Sequence, residues 1–394
     1  MSATELRAEL ASLPSSLQSR LDAGGFDAER LVALAAPLHA RARGETTTDG
    51  DIRNRVSGPV EPPRPEDLAE LPPSTSPEYE RLAAIGLAAI GRSELALCVM
   101  AGGMATRMGG VVKALVEAFD AHTFLALRLN ENASWSRRAG SSLPLWLMTS
   151  EATDGPIRDE LARLGAPPHV RTFRQDVGLR LTRAGRLLRG QDGEPSTYAT
   201  GHGDLPDALR RSGLLSAFVA RGGRYAWIAN LDNLGATIDP ALLGWFIDNG
   251  ADVMVEVAPK VAGDRGGIPV WADVRDDEDR VTRRLQVLEE FRLPKSFDAA
   301  TVPVFNTNTF LVRAEALIRT RVRWSWFEVE KKVGDHIAVQ FERLLQELSA
   351  AMRASYVRVP REGIASRFLP VKDNDELAAR RDDIRAIANE RGML

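Results

Sequence analysis

The 394-residue chain has a single cysteine, Cys98. A lone thiol excludes an internal disulfide and fits a reducing compartment. Its place inside an apolar run fits a small buried hydrophobe. No apolar run approaches the roughly 18 residues that a membrane-spanning helix needs. The opening Met1-Ser-Ala-Thr-Glu-Leu lacks the basic and apolar regions of a secretory signal, so a cytoplasmic protein without a membrane partner is expected. Five histidines are scattered without the Cys/His spacing of a zinc site. The net charge of −3 favours no nucleic-acid partner. No Ser/His/Asp order and no reactive cysteine offer a covalent nucleophile.

What is present begins with an apolar run, Leu95–Met100, followed by Ala101-Gly-Gly-Met-Ala-Thr-Arg-Met-Gly-Gly110 and then Lys113. Glycines let the backbone turn sharply and bring its N–H groups close to a ligand. Arg107 and Lys113 add positive charge beside them. This is the pattern of a phosphate cradle built mostly of main chain. It is neither a Walker A loop, which ends in Gly-Lys-Ser/Thr, nor the dinucleotide fingerprint Gly-x-Gly-x-x-Gly. A plain strand-to-helix turn is the other reading of the loop.

Residues 1–56 read as a helical N-terminal extension. Residues 57–77 hold seven prolines and read as an extended connector, because proline lacks the donor that helices and central strands need. The helices of the first 90 residues are expected to pack against a sheet, with the proline segment along its surface. A helix is expected from Glu78 to about Gly91. Short apolar runs at Leu95–Met100, Leu143–Met148, Tyr225–Ala229, Asp252–Val257 and Phe305–Val312 read as strands covered on both faces. Helices are expected at Pro156–Leu164 and Leu205–Leu215, with a long charged helix over about Glu328–Arg353. Such alternation predicts an α/β fold with an open, mostly parallel sheet, spanning 78–375, and a helical tail at 376–394. Ligands of these sheets bind beyond the carboxyl ends of the strands.

Two further motifs follow predicted strands. Asn230-Leu-Asp-Asn-Leu-Gly-Ala places Asp232 where a carboxylate can hold Mg²⁺ against phosphate oxygens, since magnesium takes one or two carboxylates and completes its shell with phosphate and water. An Asp/Asn turn is the alternative. Thr200-Gly-His-Gly-Asp204 flanks His202 with glycines that admit a flat base or a ribose; a structural histidine is the alternative.

Taken together these motifs resemble the UDP-sugar pyrophosphorylases, and most of all the eukaryotic-type UTP–glucose-1-phosphate uridylyltransferases. Pro144-Leu-Trp-Leu-Met-Thr-Ser150, Phe173-Arg-Gln175, Val255-Glu-Val-Ala-Pro-Lys260 with Gly266-Gly267, Leu288-Glu289, Phe305-Asn-Thr-Asn308 and Ser366-Arg-Phe-Leu-Pro-Val-Lys372 follow in the family's order over about residues 80–375. The resemblance implies a glycosyltransferase-A-like, Rossmann-like mixed sheet flanked by helices, which makes 78–375 a nucleotidyltransferase domain. It implies UTP and glucose 1-phosphate as substrates, UDP-glucose and pyrophosphate as products, and Mg²⁺ as cofactor. By the same resemblance Gly102 and Gly103 lie against the nucleotide, and Gln175 with Gly201, His202 and Gly203 recognises uracil. Arg107 and Lys113 attend the triphosphate. Asp232 holds the metal, and Asn230, Gly267, Glu289, Asn306 and Asn308 surround the sugar.

Three departures stand out. Ala105 replaces a usual glycine, and Lys113 comes one position early. Pro303 stands where the family has a lysine that neutralises phosphate charge; losing one such donor costs about 3–4 kcal/mol, or ~10²–10³ in rate. Lys372 is the first candidate to replace it. The chain ends 22 residues after Lys372, so the family's C-terminal β-helical domain is expected to be absent, leaving a monomer or a different dimer. Two alternatives remain: a UDP-N-acetylglucosamine or broad UDP-sugar pyrophosphorylase, and a nucleotide-sugar-binding regulator that has lost catalysis.

Overall fold

The computed structural model describes residues 2–394 apart from 49, 262, 265, 276 and 277. An eight-stranded sheet forms its centre. The strands are β1 (Leu68–Glu70), β2 (Leu95–Met100), β3 (Leu145–Thr149), β4 (Val170–Arg174), β5 (Tyr225–Asn230) and β6 (Val253–Pro259). A hairpin of β7 (Gly267–Arg275) and β8 (Val281–Glu289) follows, then β9 (Val304–Arg313), a second hairpin of β10 (Phe327–Val333) and β11 (His336–Glu342), and β12 (Ala354–Arg358). The lateral order of the sheet is β1-β12-β6-β9-β5-β2-β3-β4. Every neighbour pairs parallel except β9, which runs antiparallel to both β6 and β5. The fold is therefore mixed α/β. β2 and β3 are buried at every residue, and β5 and β6 at all but their last. That burial explains their unbroken apolar runs: strands with both faces covered show no alternation.

The longer helices are α1 (Ala3–Ala11), α2 (Ser15–Ala23), α3 (Ala28–Ala42), α4 (Pro77–Gly91), α5 (Phe124–Ala139), α6 (Glu151–Arg163), α7 (Pro240–Asn249) and α8 (Asn374–Glu390). α4 and α7 touch backbone to backbone. A Cβ on Gly86 would lie 1.9 Å from the Pro240 carbonyl oxygen, and one on Gly244 would lie 1.8 Å from that of Leu82. Only glycine admits this approach. No helix among the described residues is long and apolar enough to cross a membrane.

Four expectations are corrected. The N-terminal helices do not pack against the central sheet. Leu6, Leu17, Leu21, Leu31 and Leu38 form a separate apolar cluster with Leu179, Leu181, Leu187, Val339 and Phe341. The proline segment is more than a surface connector, because β1 inside it pairs with β12 as an edge strand; prolines are tolerated beside an edge. The long charged helix over 328–353 does not exist. Val333 pairs with His336 across Gly334-Asp335, with Gly334 at φ +57°, giving a two-residue hairpin between β10 and β11. The helix expected over Leu205–Leu215 is interrupted by Gly213, at φ +75°, between Leu205–Arg211 and Leu214–Ala220.

Candidate active site

The predicted site residues other than Lys372 lie beyond the carboxyl ends of β2, β4 and β5, on the reversed strand β9, at the start of β7 and the end of β8, and in the 201–203 loop. The glycine loop leaves β2 at Met100. Ala105 sits at φ −80°, an ordinary conformation, so the methyl carries no backbone strain; the left-handed residues of the loop are Gly109 and Gly110. A Cβ on Gly102 would lie 2.5 Å from Gln175 Oε1. The Gln175 carboxamide donates to the carbonyl of Gly201 at 3.2 Å. Gly102, Gln175 and Gly201 thus form one wall, although they lie 99 residues apart in sequence.

The loop at 200–204 rests on a buried charge cluster. Arg343 donates to Asp204, Asp207 and Asp176 through its three nitrogens. Burial pushes the Asp204 carboxyl up against the opposing charge of Arg343. Gly201 and Gly203 are required by close approach, since a Cβ on either would lie 2.5–2.6 Å from Arg343 backbone atoms. His202 Nδ1 accepts from the Leu345 N–H at 2.9 Å, and burial lowers its pKa to about 4. The neutral ring therefore carries its proton on Nε2, free to donate.

The next residue continues the wall. Gln346 donates to Glu289 Oε1 at 2.5 Å, and a Cβ on Gly267 would lie 3.2 Å from the same oxygen. Burial and the neighbouring Glu290 raise the Glu289 carboxyl. Residues 343–346 therefore join the 200–204 loop to Glu289. In the sequence these residues lay inside the mispredicted helix, and their site role went unseen.

Asn230 and Asn308 meet at the strand ends. Asn308 Nδ2 donates to Asn230 Oδ1 at 3.0 Å, and the Asn308 N–H donates to Asn306 Oδ1 at 2.9 Å. Asn308 adopts φ +59° where the β6–β9 register shifts, a conformation asparagine tolerates better than branched residues. Its Oδ1 is buried without a partner among the described residues. Lys113 reaches Asp232 and forms an ion pair with it. Arg107 is exposed, with no ion pair to a described residue. Gly103 has open space around it.

Lys372 is exposed near Asp264. The matched segment before it is structural. Arg367 is buried against Glu256 and the Thr237 carbonyl, and the Asn233 carboxamide bonds Arg367 and Leu369 backbone. The Pro303 carbonyl accepts from the Lys260 N–H at 2.8 Å, so Lys260 lies beside the proline; its ammonium pairs with Glu290 at 2.8 Å.

Sequence reading missed Arg128 and Glu131. Both are fully buried on α5. Arg128 donates to the carbonyls of Asn230, Asn233 and Ala236, and Glu131 accepts from the Ile238 N–H. In sequence they look like an ordinary i,i+3 surface pair. A cavity of about 980 Å³ lies elsewhere, between Glu70–Ser74, Asp239 and Arg391, and contains none of the predicted site residues. Convergence of polar groups, rather than void size, locates the candidate site.

Residues 60–393 match the family model described as UTP--glucose-1-phosphate uridylyltransferase. The chain is 29% identical over 309 residues to the protein of that name from Hordeum vulgare, covering 74% of this chain and 62% of the relative. Against the Saccharomyces cerevisiae protein of the same name identity is 31% over 312 residues, with 74% and 60% covered. The chain thus spans about three-fifths of the length of these relatives. Among solved structures, UDP-glucose phosphorylase from Trypanosoma brucei superposes with a TM-score of 0.71 at 23% identity, covering 92% of this chain and 77% of that one. A Leishmania major UDP-glucose pyrophosphorylase mutant in complex with UDP-glucose gives 0.66 at 23%, covering 93% and 79%.

Proposed function

The chain belongs to the UTP--glucose-1-phosphate uridylyltransferase family, and from that premise we propose that it catalyses UTP plus glucose 1-phosphate to UDP-glucose plus pyrophosphate. One observation carries the reading. The Gly102–Gln175–Gly201 wall and the Asn308–Asn230 pair converge on the strand ends where Lys113 meets Asp232. A base, a phosphate chain and a sugar have to be held in that order for this reaction.

In the proposed reaction an oxygen of the sugar phosphate attacks the α-phosphorus, the bond to the β-phosphate bridging oxygen breaks, and pyrophosphate leaves with that electron pair. Such transfer rests on positioning and charge neutralisation. Gln175 and the Gly201–Gly203 backbone hold uracil, with His202 Nε2–H as a donor. Gly102 and Gly103 let the loop approach the nucleotide. Arg107 and Lys113 neutralise the phosphates, with Lys372 as the candidate to complete the set. Glu289 accepts sugar hydroxyls beside Gly267, and Asn230, Asn306 and Asn308 orient the ring.

The residues present fit magnesium. Among the described residues no group of three potential ligands would form a cage of protein side chains. A lone carboxylate at a phosphate site suits an ion that takes most of its oxygens from substrate and water. Asp232 would hold it, and bound there it would supply charge neutralisation at the phosphates. The reading carries no nucleic-acid or membrane partner and a cytoplasmic monomer or dimer. It is tested by pyrophosphate release from UTP with a panel of sugar 1-phosphates. Turnover restricted to N-acetylglucosamine 1-phosphate would reassign the substrate. UDP-glucose binding with no turnover of any sugar phosphate would make the chain a regulator, the outcome Pro303 favours.

A further inference from the structure

We propose that the chain carries a second anion-binding site, for a small phosphate ester, on the far side of the β7–β8 hairpin from Glu289. A cavity of about 370 Å³ lies there, with five arginines (275, 284, 292, 321 and 323) against two carboxylates, Asp273 and Glu347. Both carboxylates are already engaged, Asp273 by Arg283 and Glu347 by Arg292 and Ser325, and Arg323 pairs with Asp279, so the unneutralised charge is that of the other arginines. Arg284 and Arg321 are exposed and form no ion pair with a described residue. Arg292 is mostly buried, and its Nε has no hydrogen-bond partner among the described residues. Trp324 adds a flat apolar wall. A surplus of guanidinium donors around a concave space is the arrangement that binds phosphate, because each planar fork offers paired N–H groups to its oxygens.

The site is separate from the one described above. On β8, Thr282, Arg284 and Gln286 line the cavity, whereas Glu289 falls in the opposite phase of the strand alternation. It is nevertheless mechanically close. Arg292 pairs with Glu347, whose sequence neighbour Gln346 donates to Glu289. An anion that draws Arg292 towards the cavity loosens its hold on Glu347, and so reaches the residue that orients Glu289. The inference goes beyond the proposed activity and does not require it.

The probe is inorganic phosphate, titrated calorimetrically into the full chain with UDP-glucose saturating. Saturable one-to-one binding is expected. The Arg284→Gln/Arg321→Gln double variant changes only exposed side chains and keeps the fold, as thermal melting will show. It should bind phosphate at least tenfold more weakly. Arg292→Gln should show the same loss if it folds. Absence of saturable binding, equal binding by the double variant, or displacement of phosphate by UTP would each overturn the proposal. None of these outcomes depends on uridylyl transfer.

Discussion

The Lys113 ammonium is ion-paired with the Asp232 carboxylate across the ends of β2 and β5. The cation of the glycine loop and the candidate metal carboxylate thus share one spot before any phosphate arrives. Asp232→Asn should lower magnesium-dependent pyrophosphate release by ~10²–10³, the usual cost of one preorganised electrostatic group. Lys113→Ala should instead raise KM for UTP while leaving the metal requirement. Undiminished turnover of the Asp232→Asn variant removes this residue from the metal role.

Gly102→Ala should weaken UTP binding at least tenfold and leave the melting temperature nearly unchanged. The new Cβ displaces the Gln175 carboxamide, 2.5 Å away, which is the far end of a flexible side chain and so can move without disturbing the core. Nucleotide titrations compared with melts separate the two effects. Equal UTP affinity would place uracil elsewhere.

Gly244→Ala reverses an intrinsic preference. In an exposed helix the change stabilises by about 1 kcal/mol. Here the methyl meets the Leu82 carbonyl of α4 at 1.8 Å, so the helices must separate. Overpacking of this kind costs about 1–3 kcal/mol. Denaturant unfolding should show net destabilisation.

Arg128→Met should cost roughly 3–5 kcal/mol, because it leaves Glu131 buried without its partner. Three carbonyls of the 230–236 loop also lose their donor. Chemical denaturation measures the loss, and a double variant with Glu131→Gln should recover part of it.

The pH dependence has a definite sign at two residues. His202 has its folded pKa lowered to about 4 from 6.5. Between these values the unfolded chain binds a proton that the folded chain does not, so stability falls as pH drops from 6.5 towards 4. His202→Asn should flatten that part of the melting profile. Glu289 is raised, so it protonates at higher pH than an ordinary glutamate. KM for the sugar phosphate should therefore climb early on acidification, and Glu289→Gln should abolish the climb.

Much of this was legible in the chain. Runs such as Leu95–Met100 and Tyr225–Ala229 announce buried strands because both their faces are covered. The residues after them announce ligand chemistry because strand ends are where backbone and side chains are free to turn towards a ligand. Glycines at 102, 201 and 203 were visible as points of close approach. What they approach was not, since Gln175 and Arg343 are distant in sequence.

Local pattern also misled where two periods overlap. The charged stretch at 328–353 read as a helix, yet Gly334-Asp335 folds its first half into a hairpin, and Gln346 reaches Glu289. Arg128 and Glu131 show why burial is not a local property: the same i,i+3 pair is a solvated face on one helix and a sealed brace on another. By itself the sequence determined five buried strands, the glycine turns and the chemical types at their ends, because these follow from short-range sterics and hydrophobicity. Only the tertiary structure decided which of those groups meet, that Lys113 reaches Asp232, and that Arg367 holds the fold. Those outcomes depend on contacts between segments far apart in the chain, which no local pattern encodes.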